Sequence, residues 1–145
     1  MSVFADSSAL VKLYADEPGH EIVRALDALI VSAIARVEVP AALWRKERLG
    51  ELDVAQAETL VAAFEADFLG TADESPPYAA VASAPAVLES AAQLTATHGL
   101  RPYDAIQLAS GLAAAGADPQ CEAFACFDDE LRAAAARSGF VLVPD

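Results

Sequence analysis

The sequence predicts an α/β domain with a central parallel β-sheet. Short apolar segments of strand length alternate with longer segments of helical periodicity along the whole chain. The chain has 145 residues, of which 55% are hydrophobic, so it suits one compact domain over residues 1–145 and is too apolar to be disordered. No repeat, low-complexity segment or second domain is visible.

The first strand is predicted at residues 2–5, an apolar run that ends at Asp6. A helical pattern opens at Ala9, and Pro18 suits the first turn of a second helix that runs to about residue 26. Asp6 is therefore expected at the carboxyl end of a strand, directly before a helix.

The second strand is predicted at residues 29–32, a short apolar run. A long helix should follow over about residues 33–49, and Gly50 suits its end. Pro40 lies inside this span. Because proline has no N–H to donate, it predicts a kink or a turn there.

The middle of the chain predicts a helix, a loop and a weak strand. Asp53 suits a helix cap, and the apolar residues after it recur at helical spacing as far as Phe68. Residues 70–77 are small, acidic or proline residues and predict a loop. Residues 78–83 predict the weak strand.

The last part of the chain predicts two helices and then a strand, a helix and a strand. Pro85 and Pro102 each suit the first turn of a helix, the two running to about residues 97 and 115. The remaining elements are predicted at residues 122–127, 131–138 and 140–143.

Charge and composition exclude several classes of protein. The net charge of −13 argues against broad electrostatic binding of nucleic acid, although it permits a metal-bridged contact with phosphate and favours a basic protein partner. Every apolar run is too short to cross a membrane. The residues before Asp6 carry no basic charge of the kind that an export signal needs, so a cytoplasmic protein is expected. Cys121 and Cys126 form no CxxC pair and are interpreted as small core residues.

Two acidic residues directly follow predicted strands. Asp6 follows the first, and Asp128 follows the strand that precedes the last helix. Ligands of open α/β sheets gather at the carboxyl ends of the strands, which favours a functional role for both. Helix capping is the alternative for each. Asp129 comes directly after Asp128, so the sequence leaves open which of the two faces the site.

Two further acids lie in predicted helices. Glu38 shares a helical stripe with apolar residues, where an ionised carboxylate is costly unless it is paired or bound to a metal. The alternative is a pair with Arg45 or Lys46. Asp104 lies in the first turn after Pro102, where the helix dipole already favours an acid. The mostly apolar sequence around Asp104 nevertheless indicates a buried helix.

Together these four acids predict a site for a hard divalent cation. Carboxylate oxygens are the ligands that Mg²⁺ and Mn²⁺ prefer, and such sites suit phosphate chemistry. Four carboxylates that converge without a metal would raise one another's pKa values, and a bound ion would relieve that repulsion.

The same residues carry a family resemblance. Val3-Phe4-Ala5-Asp6-Ser7-Ser8-Ala9-Leu10-Val11-Lys12-Leu13-Tyr14, with Asp16-Glu17-Pro18-Gly19 after it, resembles the opening of PIN-domain proteins of the VapC toxin branch. The resemblance continues through Ser32 to Val39, Leu100 to Ala109, Phe127 to Leu131 and Gly139, in the family's order and spacing. Two residues depart from the usual pattern, namely Cys126, where many members have Ser or Thr, and Pro40.

The resemblance implies a PIN fold, with a central parallel sheet flanked by helices on both sides. It implies an endoribonuclease that depends on Mg²⁺ or Mn²⁺ and hydrolyses RNA by metal-activated water. Asp6, Glu38, Asp104 and Asp128 then take the four metal-binding and catalytic positions, and Ser7 takes the hydroxyl position beside the first acid. The implied partners are an RNA substrate, a cognate antitoxin with a basic segment and a second copy of the chain in a homodimer. The candidates for contact with RNA phosphates are Lys12, Arg36, Arg45, Lys46, Arg48 and Arg101.

Two other functions compete with this one. A PIN scaffold without catalytic activity would serve only as a protein-binding module. A phosphatase would use Asp6 as its nucleophile, but such enzymes usually have a second aspartate two residues later, where this chain has Ser8.

Overall fold

Five parallel strands form one sheet at the centre of the molecule. The computed structural model describes residues 1–145. The strands lie side by side in the order β3-β2-β1-β4-β5, and every neighbouring pair is parallel. Their bounds are β1 Ser2–Ala5, β2 Ala28–Ser32, β3 Tyr78–Val81, β4 Cys121–Ala125 and β5 Val141–Val143. The predicted α/β class with a parallel sheet is confirmed.

Seven α-helices connect and cover the strands. They are α1 Ser7–Leu10, α2 His20–Arg24, α3 Ala35–Arg48, α4 Val54–Leu69, α5 Pro85–His98, α6 Pro102–Ala117 and α7 Asp129–Arg137, and a 3-10 turn at Val11–Leu13 continues α1. None of them combines the length and the apolar character that a membrane span requires.

The sheet separates two hydrophobic cores, as the alternation of side chains along β1 shows. Val3 and Ala5 pack into the core that includes Leu43 of α3 and Phe64 of α4. Phe4, between them, packs on the opposite face with the buried residues of α5, α6 and α7. Helices therefore cover both faces of the sheet, as the resemblance implied.

Helix α6 packs closely against the sheet because Gly111 has no side chain. A Cβ atom at this position would lie 2.7 Å from the Phe124 ring of β4 and 3.3 Å from Phe4 of β1. Both rings are fully buried. The missing Cβ thus sets the distance between α6 and the central strands, and α6 carries one of the predicted site residues.

The predicted turn at Pro40 is wrong, because α3 runs without interruption from Ala35 to Arg48. Pro40 is near the start of the helix, where its missing N–H removes only a bond to the first turn. Several element ends also differ. The helix α2 runs from His20 to Arg24, so Pro18 lies before it and not in its first turn. The strand β4 stops at Ala125 instead of residue 127, β3 stops at Val81, and α7 begins at Asp129. Cys126 thus lies after the strand, and both cysteines are free and buried, as predicted.

Candidate active site

Asp6 links the end of β1 to the start of α1. Its backbone N–H donates to the carbonyl of Ala125 at the end of the neighbouring strand β4 (3.1 Å). Its Oδ1 accepts from the backbone N–H of Ala9 (2.9 Å) and from Ser8 Oγ (2.7 Å), so Asp6 caps the helix. Helix capping and a position at the carboxyl edge of the sheet are therefore compatible, because Asp6 has both.

The Asp6 carboxyl group is buried without a cationic partner. Only 4% of Asp6 is exposed. Burial raises the pKa of this carboxyl group to about 6, although hydrogen bonds from Ser8, Ala9 and Cys126 lower it and the nearby Glu38 charge raises it only slightly. The second oxygen, Oδ2, accepts from the Cys126 thiol (3.2 Å). A raised pKa at Asp6 is therefore a consequence of desolvation, more than of repulsion between carboxylates.

Glu38 belongs to a hydrogen-bond network with Ser7 and Gln107. Ser7 Oγ donates to Glu38 Oε1 (2.9 Å). The Gln107 amide Nε2 donates to the same Glu38 oxygen (2.7 Å) and to Ser7 Oγ (2.9 Å). The alternative partner Lys46 binds Glu17 (2.6 Å) and Glu51 (3.2 Å) instead, and no ion pair joins Arg45 to Glu38. Two neutral donors, one from α1 and one from α6, thus hold the Glu38 carboxylate.

Asp104 and Asp128 share one cationic partner, Arg101. The guanidinium of Arg101 donates to Asp104 Oδ2 through Nε (3.0 Å), and its Nη2 lies 2.9 Å from the same oxygen. Its Nη2 also lies 3.5 Å from Asp128 Oδ1. The other Asp128 oxygen accepts from the backbone N–H of Leu131 (3.0 Å) and caps α7. Asp129 is exposed in the first turn of α7, so Asp128 is the acid that faces the site.

The four acids lie along one edge of the sheet as two pairs. Asp6 and Asp128 follow the adjacent strands β1 and β4, while α3 and α6 bring Glu38 and Asp104 to them. The side chains do not meet at a point, since no three His, Cys, Asp or Glu side chains are close enough together to hold a metal ion. The donor chemistry still fits a hard cation. Asp6 is a buried acid without a countercharge, and the Arg101 guanidinium already serves as the cation between the other two.

The sequence and the fold place the chain among known proteins. The model of the PIN domain family matches residues 3–137. The chain belongs to the PIN domain family. Among solved structures, Mycobacterium tuberculosis VapC20, described as a toxin that cleaves the sarcin-ricin loop, has a TM-score of 0.64 at 16% identity, with 96% of each chain covered.

A second solved structure has the same fold. PAE2754 from Pyrobaculum aerophilum has a TM-score of 0.62 at 23% identity, and the match covers 99% of this chain and 90% of that one. A comparison with curated proteins finds no significant match. The structural likeness thus shows a shared PIN fold.

Three polar residues of this PIN domain site were not predicted from the sequence to contact its acids. Ser8 Oγ joins Asp6 to the backbone N–H of Phe127 (3.0 Å), Cys126 contacts Asp6, and Gln107 binds Glu38. Gln107 has a recognisable signal, because it is the polar residue one helical turn after Asp104 in an otherwise apolar segment. Nothing in the local sequence indicates the contacts of Ser8 and Cys126, which join residues more than a hundred positions apart.

Three of the basic residues predicted to contact RNA are already paired, and Arg36 is one of them, with its Nη2 3.5 Å from Glu65 Oε2. Lys12 is only 7% exposed; its ammonium group binds Glu17 (3.2 Å) and lies 4.3 Å from the centre of the Phe127 ring. Lys46 binds Glu17 and Glu51. Arg101 is different, because its side chain is 70% exposed while it touches two of the acids. It is therefore the cation best placed to meet a phosphate at this site.

A large acidic cleft lies elsewhere on the PIN domain. It has a volume of about 910 Å³ and is bounded by the 3-10 turn, the end of α3 and the start of α4. Lys46 is the only basic residue in its lining, and the acidic ones are Asp16, Glu17, Glu51 and Asp53. None of the four site acids lines this cleft.

Proposed function

We propose that this PIN domain is an endoribonuclease dependent on Mg²⁺ or Mn²⁺ and the toxin of a type II toxin–antitoxin pair. The main support is Asp6, a buried acid without a countercharge at the end of the central strand β1. The charge of Glu38 acts on the Asp6 carboxyl group, and Asp104 and Asp128 lie along the same edge. A cluster of this kind favours binding of a divalent cation, because the cation offsets the cost of burying negative charge.

In the proposed mechanism each acid has a defined place. Asp6, Glu38 and Asp104 would hold the ion, directly or through water, and Asp128 would complete the site. When bound, the ion would lower the pKa of a water molecule and neutralise charge on the scissile phosphate. Ser7 keeps one oxygen of Glu38 oriented by its hydrogen bond (2.9 Å).

Arg101 has two roles in this proposal. In the free protein its guanidinium compensates Asp104 and Asp128. With a bound ion supplying that charge, the exposed guanidinium would be free to turn towards an RNA phosphate. In-line attack by a water oxygen would then form a new P–O bond as the P–O3′ bond breaks, with a water proton passing to the leaving 3′-oxygen. The products are a 5′-phosphate and a 3′-hydroxyl.

The deciding experiment is cleavage of a total cellular RNA pool by the purified protein with Mn²⁺. Discrete fragments are expected, and they should vanish with chelator, with Asp6→Asn and with Asp104→Asn. The matched control is Asp53→Asn, because Asp53 also caps a helix, α4, but is not one of the four site acids. Cleavage that survives in Asp6→Asn, or that is lost in Asp53→Asn as well, would contradict the proposal.

For the antitoxin we propose that a basic segment binds the acidic cleft between the 3-10 turn, α3 and α4. Its lining carries four acids against one lysine, and that lysine is bound to two of them. VapC20, which resembles this chain in fold, is described as a toxin that cleaves the sarcin-ricin loop, and an RNA target is proposed here for this chain. The proposal also includes a homodimer and a cytoplasmic location. Light scattering tests the dimer.

A binding scaffold is the second candidate, favoured by one observation. No three ligating side chains converge closely enough to hold an ion. Calorimetry with Mn²⁺ separates the two functions, because a scaffold would show no uptake that depends on Asp6 or Asp104. The phosphatase is disfavoured by the surroundings of Asp6, whose two oxygens accept from Ala9, Ser8 and Cys126 in a buried position.

A further inference from the structure

Gln107 is a buried polar residue on the helix that carries Asp104. It lies in α6 and is 2% exposed. Its amide Nε2 makes two hydrogen bonds, one to Glu38 Oε1 (2.7 Å) and one to Ser7 Oγ (2.9 Å). These bonds join three elements, α1, α3 and α6, through a single side chain.

The orientation of the Gln107 amide is fixed by these partners. The Glu38 carboxylate can only accept, so it must meet the NH₂ end of the amide, since the carbonyl end would repel it. Both amide hydrogens are then used. The carbonyl Oε1 is buried and accepts no bond from any protein group. The hydrogen bonding of the amide is thus directed entirely to Glu38 and Ser7.

Burying the Gln107 amide in an apolar helix costs folding free energy, so its presence there indicates a functional role. A glutamine loses considerable rotamer freedom when it is buried, and an unpaired buried acceptor adds to that cost. Stability alone would favour an apolar residue of the same length here. A hydrogen-bond donor at this position can orient Glu38, which an apolar residue cannot do. Hydrogen bonds from surrounding residues orient the carboxylates that bind a metal.

We propose that Gln107 is a positioning residue that fixes Glu38 for metal binding, with Ser7 as its second contact. Glu38 Oε1 accepts from both Gln107 and Ser7, which leaves the other oxygen, Oε2, without a protein donor. Gln107 and Ser7 together therefore hold Oε1 and leave Oε2 as the oxygen free to bind an ion. This inference rests on the proposed metal-dependent function.

The first test uses the free protein and needs no activity. The chain has four glutamines and no asparagine, and the other three glutamines are exposed. Their side-chain NH₂ signals in an NMR spectrum therefore give a simple pattern. One of the four pairs is expected to resist exchange with water and to shift in Glu38→Gln. Four pairs that exchange equally fast would overturn the inference.

The second test measures Mn²⁺ affinity by calorimetry in Gln107→Met, which keeps the length of the side chain but removes both donors. The dissociation constant is expected to rise about 10- to 100-fold, as is usual for the loss of an orienting contact. In a Glu38→Gln background the same change should have no further effect. The matched control is Ser110→Ala, because Ser110 is buried one turn later in α6 and contacts Ser32 but no acid.

The outcomes separate this inference from the proposed function. If the wild type binds Mn²⁺ and cleaves RNA, but Gln107→Met binds Mn²⁺ equally well, the positioning role is wrong. An equal loss in the wild-type and Glu38→Gln backgrounds would indicate a general structural effect and would also overturn it. If the wild type itself binds no Mn²⁺, the proposed function fails, and the positioning role fails with it.

Discussion

The guanidinium of Arg101 binds Asp104 Oδ2 through both Nε and Nη2, at 3.0 and 2.9 Å. The two residues are three positions apart, so the pair forms within the start of α6. Asp128, which follows β4, lies 3.5 Å from the same guanidinium. One exposed cation thus holds two of the proposed metal ligands, and this relationship has a testable consequence.

Arg101→Ala is expected to tighten Mn²⁺ binding by about two- to five-fold, because it removes a cation that competes for Asp104 and Asp128. RNA cleavage should weaken at the same time through a higher KM, since the exposed guanidinium is proposed to meet phosphate. Calorimetry and steady-state cleavage measure the two effects. Arg137→Ala, which removes an exposed charge at the end of α7, is the control. Weaker Mn²⁺ binding in Arg101→Ala would show that Arg101 supports the metal site.

Asp6→Asn is expected to stabilise the metal-free protein at neutral pH. Burial raises the pKa of Asp6 from 3.8 to about 6. Between these two pH values the folded state therefore keeps a proton that the unfolded state has lost. The contribution of Asp6 to stability therefore falls as pH rises from about 4 to 6, by up to about 3 kcal/mol. Thermal unfolding of both proteins from pH 4 to pH 8 measures this difference. A difference in stability between the two proteins that stays the same from pH 4 to pH 8 would contradict this prediction.

Mn²⁺ is expected to stabilise the folded protein through its binding energy. At about 100 times its dissociation constant the ion should add about 2.7 kcal/mol. For a chain of this length, that corresponds to a rise in Tm of about 5–10 °C. The rise should disappear in Asp6→Asn and remain in Asp53→Asn. Differential scanning calorimetry with and without chelator makes the measurement, and an equal rise in both variants would show that Mn²⁺ binds elsewhere.

Gly19→Ala is expected to destabilise the fold by about 2 kcal/mol or more, because of backbone strain and a steric clash. Gly19 has φ +90, and a Cβ there would lie 2.6 Å from Phe127 Cε1. Phe127 directly precedes Asp128, so the clash should also disturb the site.

Gly50→Ala is the control for that prediction, since Gly50 has φ +78 with open space around it. Gly50→Ala should lose only the free energy that corresponds to backbone strain. Chemical denaturation measures both free energies of unfolding. Equal losses in the two variants would mean that Phe127 moves aside without cost.

The order and type of the main elements were predictable because they depend on local properties. The alternation around Phe4 and the capping box of Asp53 with Gln56 are set by residues within a few positions of each other. The turn predicted as one alternative at Pro40 was wrong for a related reason. The rule for proline considers the local chain alone, whereas α3 carries residues that pack into the core and hold the helix together, such as Val39 and Leu43.

The sequence by itself determined that the chain is an α/β domain and that Asp6 and Asp128 follow strands, because periodicity and strand ends are local features. Only the tertiary structure decided which groups meet. The Gln107–Glu38 bond spans 69 positions and the Cys126–Asp6 contact spans 120. Such contacts depend on how α3 and α6 pack against the sheet, down to the single missing Cβ of Gly111. Periodicity identifies the buried face of a helix, but the packing of that face determines which polar side chain reaches which acid.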